Sequence, residues 1–418
     1  MAFLVEDAMG AGERSLLEQS ELSNRNLETT MAYFPIPTNG SVSLPTDVGV
    51  IFVSLELSRA TWLVTSLSPA GGGRMSRYAV RGGDVPDLLS RFGLLQSRAF
   101  ERTGMRCSLV VIHEAGLDGF WLHRVLEQEG IESHVVDPAS IATSRRARRA
   151  KTDRVDGETL VRTLMAFKRG EPRVCAMVRP PSPEAEDRRQ ISRERRALIA
   201  ERISHVNRIK GLLFAQGISS YEPIRRDRRQ RLETLQTGDG RPLPDALKQR
   251  IDRELDRLEL LLDQIRTVEG LRDDLLAARA TDHHSTPVIL QRLKGVGPEA
   301  AMTLWSEGLF RHFDNRRQLA AFAGLAPTPW QSGTISREQG VSKAGNARLR
   351  ATMIQLSWLW LRNQPTSALS VWFHRRVGEA GGRSKLVFIV ALARKLLVSL
   401  WRFAKEGVVP DGAVLSAS

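Results

Sequence analysis

The sequence predicts an α/β domain in its first half, a long helical segment in the middle and a mainly α-helical last third. Three observations carry this. Between residues 48 and 136, short apolar runs of strand type alternate with helix-spaced stretches, as in an α/β sheet. Between 190 and 275, aliphatic residues recur every three or four positions among many arginines, as in long amphipathic helices. From about 286 onward the apolar stretches are again helix-spaced, but Gly, Pro and Ser separate them. The divisions fall at 1–45, a polar and unpatterned extension expected to be flexible, then 46–178, 179–283 and 284–418.

Composition narrows the function. At 418 residues the chain has room for two or three domains. A net charge of +14 points to nucleic acid, with an anionic membrane the weaker option. Only three tyrosines are present, so backbone-directed, electrostatic binding is expected rather than base stacking. Cys107 and Cys175 form neither a disulfide framework nor a metal-ligand spacing, which favours a reducing cytoplasm. The most apolar run, 386–401, is broken by Arg394 and Lys395, so no membrane span is expected. Glu6, Asp7 and Glu13 near the start are unlike a secretory signal.

In chain order, 48–56 and 61–67 are strand-like apolar runs, Gly71-Gly-Gly-Arg74 is a turn, and 77–81 is a third strand, together a β-meander. A helix follows over 85–100. The apolar run 107–112 has buried-strand character and ends at His113-Glu114. A helix over 117–130 stops at glycine, and 132–136 is a further strand. In such sheets functional groups gather at strand carboxyl ends, where Glu56 and Glu114 each close an apolar strand. A desolvated, unpaired carboxylate there would cost several kcal/mol, roughly the scale at which it takes a proton or a metal instead.

Next comes Lys151-Thr-Asp-Arg-Val-Asp156. A helix from about Asp153 puts Asp153 and Asp156 on one face, where a hard cation such as Mg2+ would relieve their repulsion. Arg145, Arg146, Arg148, Arg149, Lys151 and Arg154 around them suit a polyanion. Glu56, Glu114, Asp153 and Asp156 are therefore candidate metal ligands. A solvated helix face with Arg–Asp pairs is the plain alternative.

Pro180-Pro-Ser-Pro183 marks a boundary. Ile199, Ile203, Val206, Ile209 and Leu213 lie on one helical stripe, and Ile251, Leu255, Leu258, Leu262 and Ile265 on a second, beyond a Gly- and Pro-bearing break at 238–244. They predict an antiparallel hairpin, a coiled-coil dimer arm or a spacer within one subunit. Further on, Lys294-Gly-Val-Gly297 with Pro298 at a helix start resembles a helix-hairpin-helix, whose free N–H groups clamp phosphate. Residues 310–322 look helical, and 324–345 look like one long loop. That loop holds Ser332 beside Gly333, with Lys343, Arg348 and Arg350 downstream. Ser332 is either a nucleophile, if activated among these cations, or a plain turn serine. Helices are expected over 346–362 and 385–405.

Taken together, Lys151-Thr-Asp-Arg-Val-Asp156, Leu293-Lys-Gly-Val-Gly-Pro298, Gly324-Leu-Ala-Pro327, Gln331-Ser-Gly333, Val341-Ser-Lys-Ala-Gly-Asn346 and Leu349-Arg350 resemble the transposases of insertion-sequence family 110, the bridge-RNA-guided recombinases. The resemblance spans about 48–405. It implies an N-terminal RuvC-like, RNase H-type domain with an Asp-Glu-Asp-Asp tetrad holding Mg2+, a coiled-coil insert and a C-terminal domain with a nucleophilic serine. Glu114, Asp153 and Asp156 match the last three tetrad positions. The first falls on Glu56, where the family more often has Asp, so the carboxylate is displaced by one methylene. Ser332 matches the serine. Lys294, Gly295, Gly297, Lys343, Asn346 and Arg350 are expected at nucleic acid. Implied partners are donor and target DNA, a structured non-coding RNA and further copies of the chain, from dimer to tetramer.

Two other functions compete: a carboxylate-only nuclease or junction resolvase with Ser332 idle, and an inactive nucleic-acid-binding relic.

Overall fold

A computed structural model of the chain describes residues 48–116, 119–141, 153–172, 174–332, 335–342, 345–379 and 385–416. The extension 1–45, the arginine run from Arg145 to Lys151, and Lys343 lie outside the described residues. The chain forms two compact units, the first of residues up to 180 together with 333–337, the second of 181–332 and 338 onward.

The first unit is built on a six-stranded sheet in the order β3-β2-β1-β4-β5-β6. Strands β1 (Val48–Glu56), β2 (Thr61–Leu67) and β3 (Met75–Arg81) form the antiparallel meander. Helix α1 (Val85–Thr103) leads to β4 (Arg106–Glu114), which runs parallel to β1, and α2 (Trp121–Gln128) leads to β5 (Glu132–Val136), parallel to β4. Helix α3 (Asp153–Lys168) precedes a short β6 (Met177–Val178), antiparallel to β5. Alternation along the strands decides which helix covers which face. Ile51, Val53, Leu55, Leu109 and Val111 pack against Leu88, Phe92 and Leu95 of α1 and Leu122 and Leu126 of α2. Val110, Ile112 and Val136 point the other way, onto Leu160 and Leu164 of α3. With both faces covered, β1 and β4 need the unbroken apolar runs seen in the sequence.

The second unit opens with α4 (Pro183–Phe214), capped by the Ser182 hydroxyl accepting from the Ala185 N–H, with proline in its first turn. After the short α5 (Arg228–Glu233) comes α6 (Asp245–Ala277). Ile209 and Leu213 meet Ile251, Leu255 and Leu258, while Leu198 meets Leu261, Ile265 and Val268, so α4 and α6 form an antiparallel hairpin within the chain. Ile209, Leu213, Ile251, Leu255, Leu258 and Ile265 are buried as expected, but elsewhere the buried stripe shifts by one position. Leu198 and Leu261 are buried, while Ile199 is only half-buried and Ile203 is 49% exposed.

The remaining helices are α7 (Thr286–Gln291), α8 (Pro298–Leu304), α9 (Arg316–Phe322), α10 (Ala347–Asn363), α11 (Ala368–Glu379) and α12 (Lys385–Glu406), with a π turn at Trp305–Leu309. Leu349, Met353, Leu356 and Trp360 of α10 face Leu396, Leu397, Leu400 and Phe403 of α12 in the core. Two expectations are corrected here. Residues 310–315 are not helical, because Asn315 caps α9 by accepting from the N–H groups of Arg317 and Gln318. The stretch 324–345 is not one long loop, because β7 (Pro327–Ser332) and β8 (Ile335–Val341) pair as a two-stranded sheet. Strands paired only with each other need no apolar alternation, so periodicity could not reveal them. None of the described helices is long and apolar enough to cross a membrane.

Polar side chains lock this unit. The Glu307 carboxylate is 3% exposed and accepts from Arg193 of α4 at 2.8 Å and from the Asn346 side-chain amide at 2.9 Å. Burial alone would raise its pKa. The hydrogen bonds from Arg193 and Asn346, with the charges of Arg193 and Arg348, outweigh burial and hold it below the usual carboxylate range. A depressed folded pKa gives stability that is present above the unfolded value, about 4.3, and lost as pH falls through the folded one. Glu307→Gln is therefore expected to lose about 2–3 kcal/mol at neutral pH. Denaturant melts of both proteins from neutral pH to acid should show that gap closing only below about pH 4. A gap that stays constant into acid would refute the assignment.

Candidate catalytic site

The carboxyl ends of β1 and β4 lie side by side, since Leu55 pairs with His113 in parallel register. Glu56 and Glu114 follow one step later, Glu56 half-buried and Glu114 exposed. Helix α3 crosses this edge with its first turn, which starts at Asp153 and contains a half-buried Asp156. Backbone and side chain pin that turn. The Ser54 hydroxyl, fully buried on β1, donates to the Gly157 carbonyl at 2.9 Å. A Cβ added at Gly157 would lie 2.6 Å from Glu56 Oε1 and 2.5 Å from Thr65 Oγ1. Only glycine lets the helix settle this closely onto the Glu56 carboxylate. Glu158, the next residue, is turned away to an ion pair with Arg77 at 3.0 Å.

The Gly157 contact thus brings α3 to the end of β1, beside which β4 ends at Glu114. The side chains of Asp153 and Arg154 lie outside the described ones. Among the described residues, no three His, Cys, Asp or Glu side chains stand close enough to hold a metal together. The donor chemistry nevertheless suits a hard cation, since all four candidates offer carboxylate oxygens.

The other predicted residues belong to the second unit. Ser332 ends β7, and the side chains of residues 328–339 are not described. The hairpin's feet are fixed, with the Ser342 N–H donating to Ala326 O at 2.8 Å and the Asn346 N–H to Phe322 O at 2.7 Å. Asn346 caps α10, its Oδ1 accepting from the Arg348 and Leu349 N–H groups while its amide donates to Glu307. Its side chain is therefore engaged in structure. Arg350 is half-buried on α10, and Lys294 is exposed, as is Gly297 at the start of α8. Gly295 takes φ +91° in the turn, where its Cα packs against the Asn363 side chain. Sequence reasoning missed Gly157 and Glu307. Gly157 had a signal, a glycine inside a helical run, which is unfavourable without a packing reason.

Comparison with known proteins covers both units. Residues 288–370 match the model of the Transposase IS116/IS110/IS902 family, and 90–215 match a transposase model of the DEDD, IS110 type. The second contains Glu114, Asp153 and Asp156 but begins beyond β1, so Glu56 lies outside it. A Sinorhizobium fredii protein named "Putative transposase y4rJ" is 64% identical over 88% of this chain and 95% of its own length. The transposase for insertion sequence element IS1111A of Coxiella burnetii is 26% identical over 71% and 78%, respectively. That for IS1328 of Yersinia enterocolitica is 25% identical over 77% and 91%.

Gly157→Ala separates the two effects of this glycine. Helix propensity alone predicts a gain of about 1 kcal/mol, whereas overpacking against Glu56 and Thr65 costs about 1–3 kcal/mol. Equilibrium unfolding is expected to show a net loss. A more stable variant would mean that α3 does not rest on Glu56.

Proposed function

The chain belongs to the IS116/IS110/IS902 family of transposases, and on that premise we propose that it is the recombinase of an insertion sequence, guided by a structured non-coding RNA and linked to DNA through Ser332. As a transposase it acts on DNA. The observation that carries the reading is the contact of Gly157 with Glu56, which brings the first turn of α3 to the strand ends bearing Glu56 and Glu114. The sheet order, with an antiparallel meander followed by parallel strands, supports a RuvC-like domain.

In this reading Glu56, Glu114, Asp153 and Asp156 would hold Mg2+, which would supply Lewis-acid polarisation of a phosphate and favour ionisation of a hydroxyl. The Ser332 oxygen forms a bond to phosphorus as the bond from phosphorus to a deoxyribose oxygen breaks. The serine proton passes to solvent, and the departing sugar oxygen takes one up. One phosphodiester is exchanged for another, so religation needs no ATP. Lys343, Arg348 and Arg350 lie near Ser332 in sequence and would offset the charge developing on the phosphate. Lys294, Gly295 and Gly297, with the arginine run 145–149, Lys151 and Arg154, would bind nucleic-acid backbones in the cytoplasm. The α4–α6 hairpin would serve as the arm joining subunits into a dimer or tetramer.

The test is denaturing-gel detection of a covalent protein–DNA adduct with Mg2+, the element's flanking non-coding RNA and its junction DNA. Wild type is expected to form the adduct, Ser332→Ala to form none, and Asp156→Asn to lose at least about a hundredfold. Cleavage by both wild type and Ser332→Ala, with an adduct in neither, would instead establish a nuclease that activates water.

A further inference from the structure

Most guanidiniums in the α4–α6 hairpin that contact other segments are matched to carboxylates. Arg193 holds Glu307, Arg195 holds Glu269 and Glu299, Arg208 holds Glu254, and Arg228 and Arg229 share Glu259. Three, Arg188, Arg189 and Arg279, depart from this at the hairpin's base, where α4 begins and the chain has just left α6. The Arg188 guanidinium carbon lies 3.7 Å from the centroid of the Trp305 ring, and that of Arg279 lies 4.8 Å from the same centroid. Among the described residues, neither hydrogen-bonds a carboxylate, and the Arg188 Nε is buried without an acceptor. Arg189 extends the cluster, its guanidinium carbon 4.2 Å from the Phe310 ring centroid and its Nε donating to Ser306 O at 3.0 Å.

An aromatic face attracts a cation without neutralising it. Burial first, then the charges of Arg279 and Arg189, push the Arg188 pKa down, with Glu184 opposing. Trp305 is a firm support, only 7% exposed, packed with Leu276 and Met302 and set in a π turn. Such turns recur at functional sites. Arg188 remains half-buried and Arg279 exposed, so an anion can reach both. Planar guanidiniums match phosphate oxygens in pairs, and an incoming phosphate would relieve the crowding of like charge.

We propose that Arg188 and Arg279, held on Trp305, bind a phosphodiester of a nucleic-acid backbone. This rests on the reading of the chain as a transposase that handles nucleic acid. The site is built from residues that neither the serine nor the carboxylate chemistry uses.

The test measures binding of full-length wild type, Arg188→Gln/Arg279→Gln and Arg279→Gln to a structured RNA and to a DNA duplex across a salt series. Each lost phosphate contact is expected to flatten the slope of log K against log salt by about 0.7–0.9 and weaken binding about five- to tenfold at 0.1 M salt. Arg266→Gln, on α6 and paired with Asp263, should leave both unchanged. A loss confined to the RNA or to the duplex identifies the strand bound. Arg279→Gln alters an exposed residue, so it keeps the test valid if the double variant fails to fold. Wild-type slope and affinity in a folded variant, on both probes, would overturn the site while leaving the transposase reading intact. A change in oligomeric mass with the slope unchanged would also overturn it, making the pair a subunit contact. Wild type that binds neither probe would remove the reading itself.

Discussion

The close approach of α3 to the end of β1 is the constraint on which the first unit depends. Any helix covering that sheet face would bury Leu160 and Leu164. Hydrophobic burial has no direction, however, and would tolerate the helix a few ångströms farther out or turned about its axis. The Ser54 hydrogen bond narrows that latitude, and Gly157 allows the close approach, because a 2.9 Å bond holds the first turn where an absent Cβ leaves room. Asp156 is carried to the strand ends as a consequence. Glycine costs about 1 kcal/mol in helix propensity, and that is the scale of stability given up for position.

The second unit uses a buried charge to the same end. Glu307 ties α4, the π turn and the cap of α10 through Arg193 and Asn346. Buried ion pairs add little net stability compared with apolar packing, but breaking one is severe, so they specify geometry well. The geometry specified here is the base of the β7–β8 hairpin, since Asn346 is also one of its feet. Ser332 thus sits on a strand whose stem is anchored to the helical core, although its own surroundings contain little apolar sequence.

What was legible in the sequence follows from which forces leave a periodic trace. Strands β1 and β4 and their terminal glutamates stood out because burial on both faces demands continuous apolar runs. The two long helices stood out as well, yet their buried stripe was misjudged by one position, at Ile199 for Leu198 and Leu262 for Leu261. Adjacent aliphatic residues let a three-and-four pattern be drawn along either of two neighbouring stripes. Pairing of β7 with β8 is backbone chemistry and left no pattern. The Arg193–Glu307 pair joins residues 114 positions apart, and nothing local announces it.

Glu56 is where sequence and structure bear on each other most directly. Against a motif that more often has aspartate, a glutamate reads as a departure or as a mark of decay. Its contact with Gly157 gives it another meaning. The Glu56 Oε1 lies within 2.6 Å of the point a Gly157 Cβ would occupy, so the longer side chain reaches fully into the space that the glycine leaves open. Aspartate would withdraw the carboxylate by about one bond length and forfeit contacts on that side. Glutamate at 56 and glycine at 157 are thus matched in size, one supplying the reach and the other the room. The fit sets Glu56 and the first turn of α3 as one unit of structure.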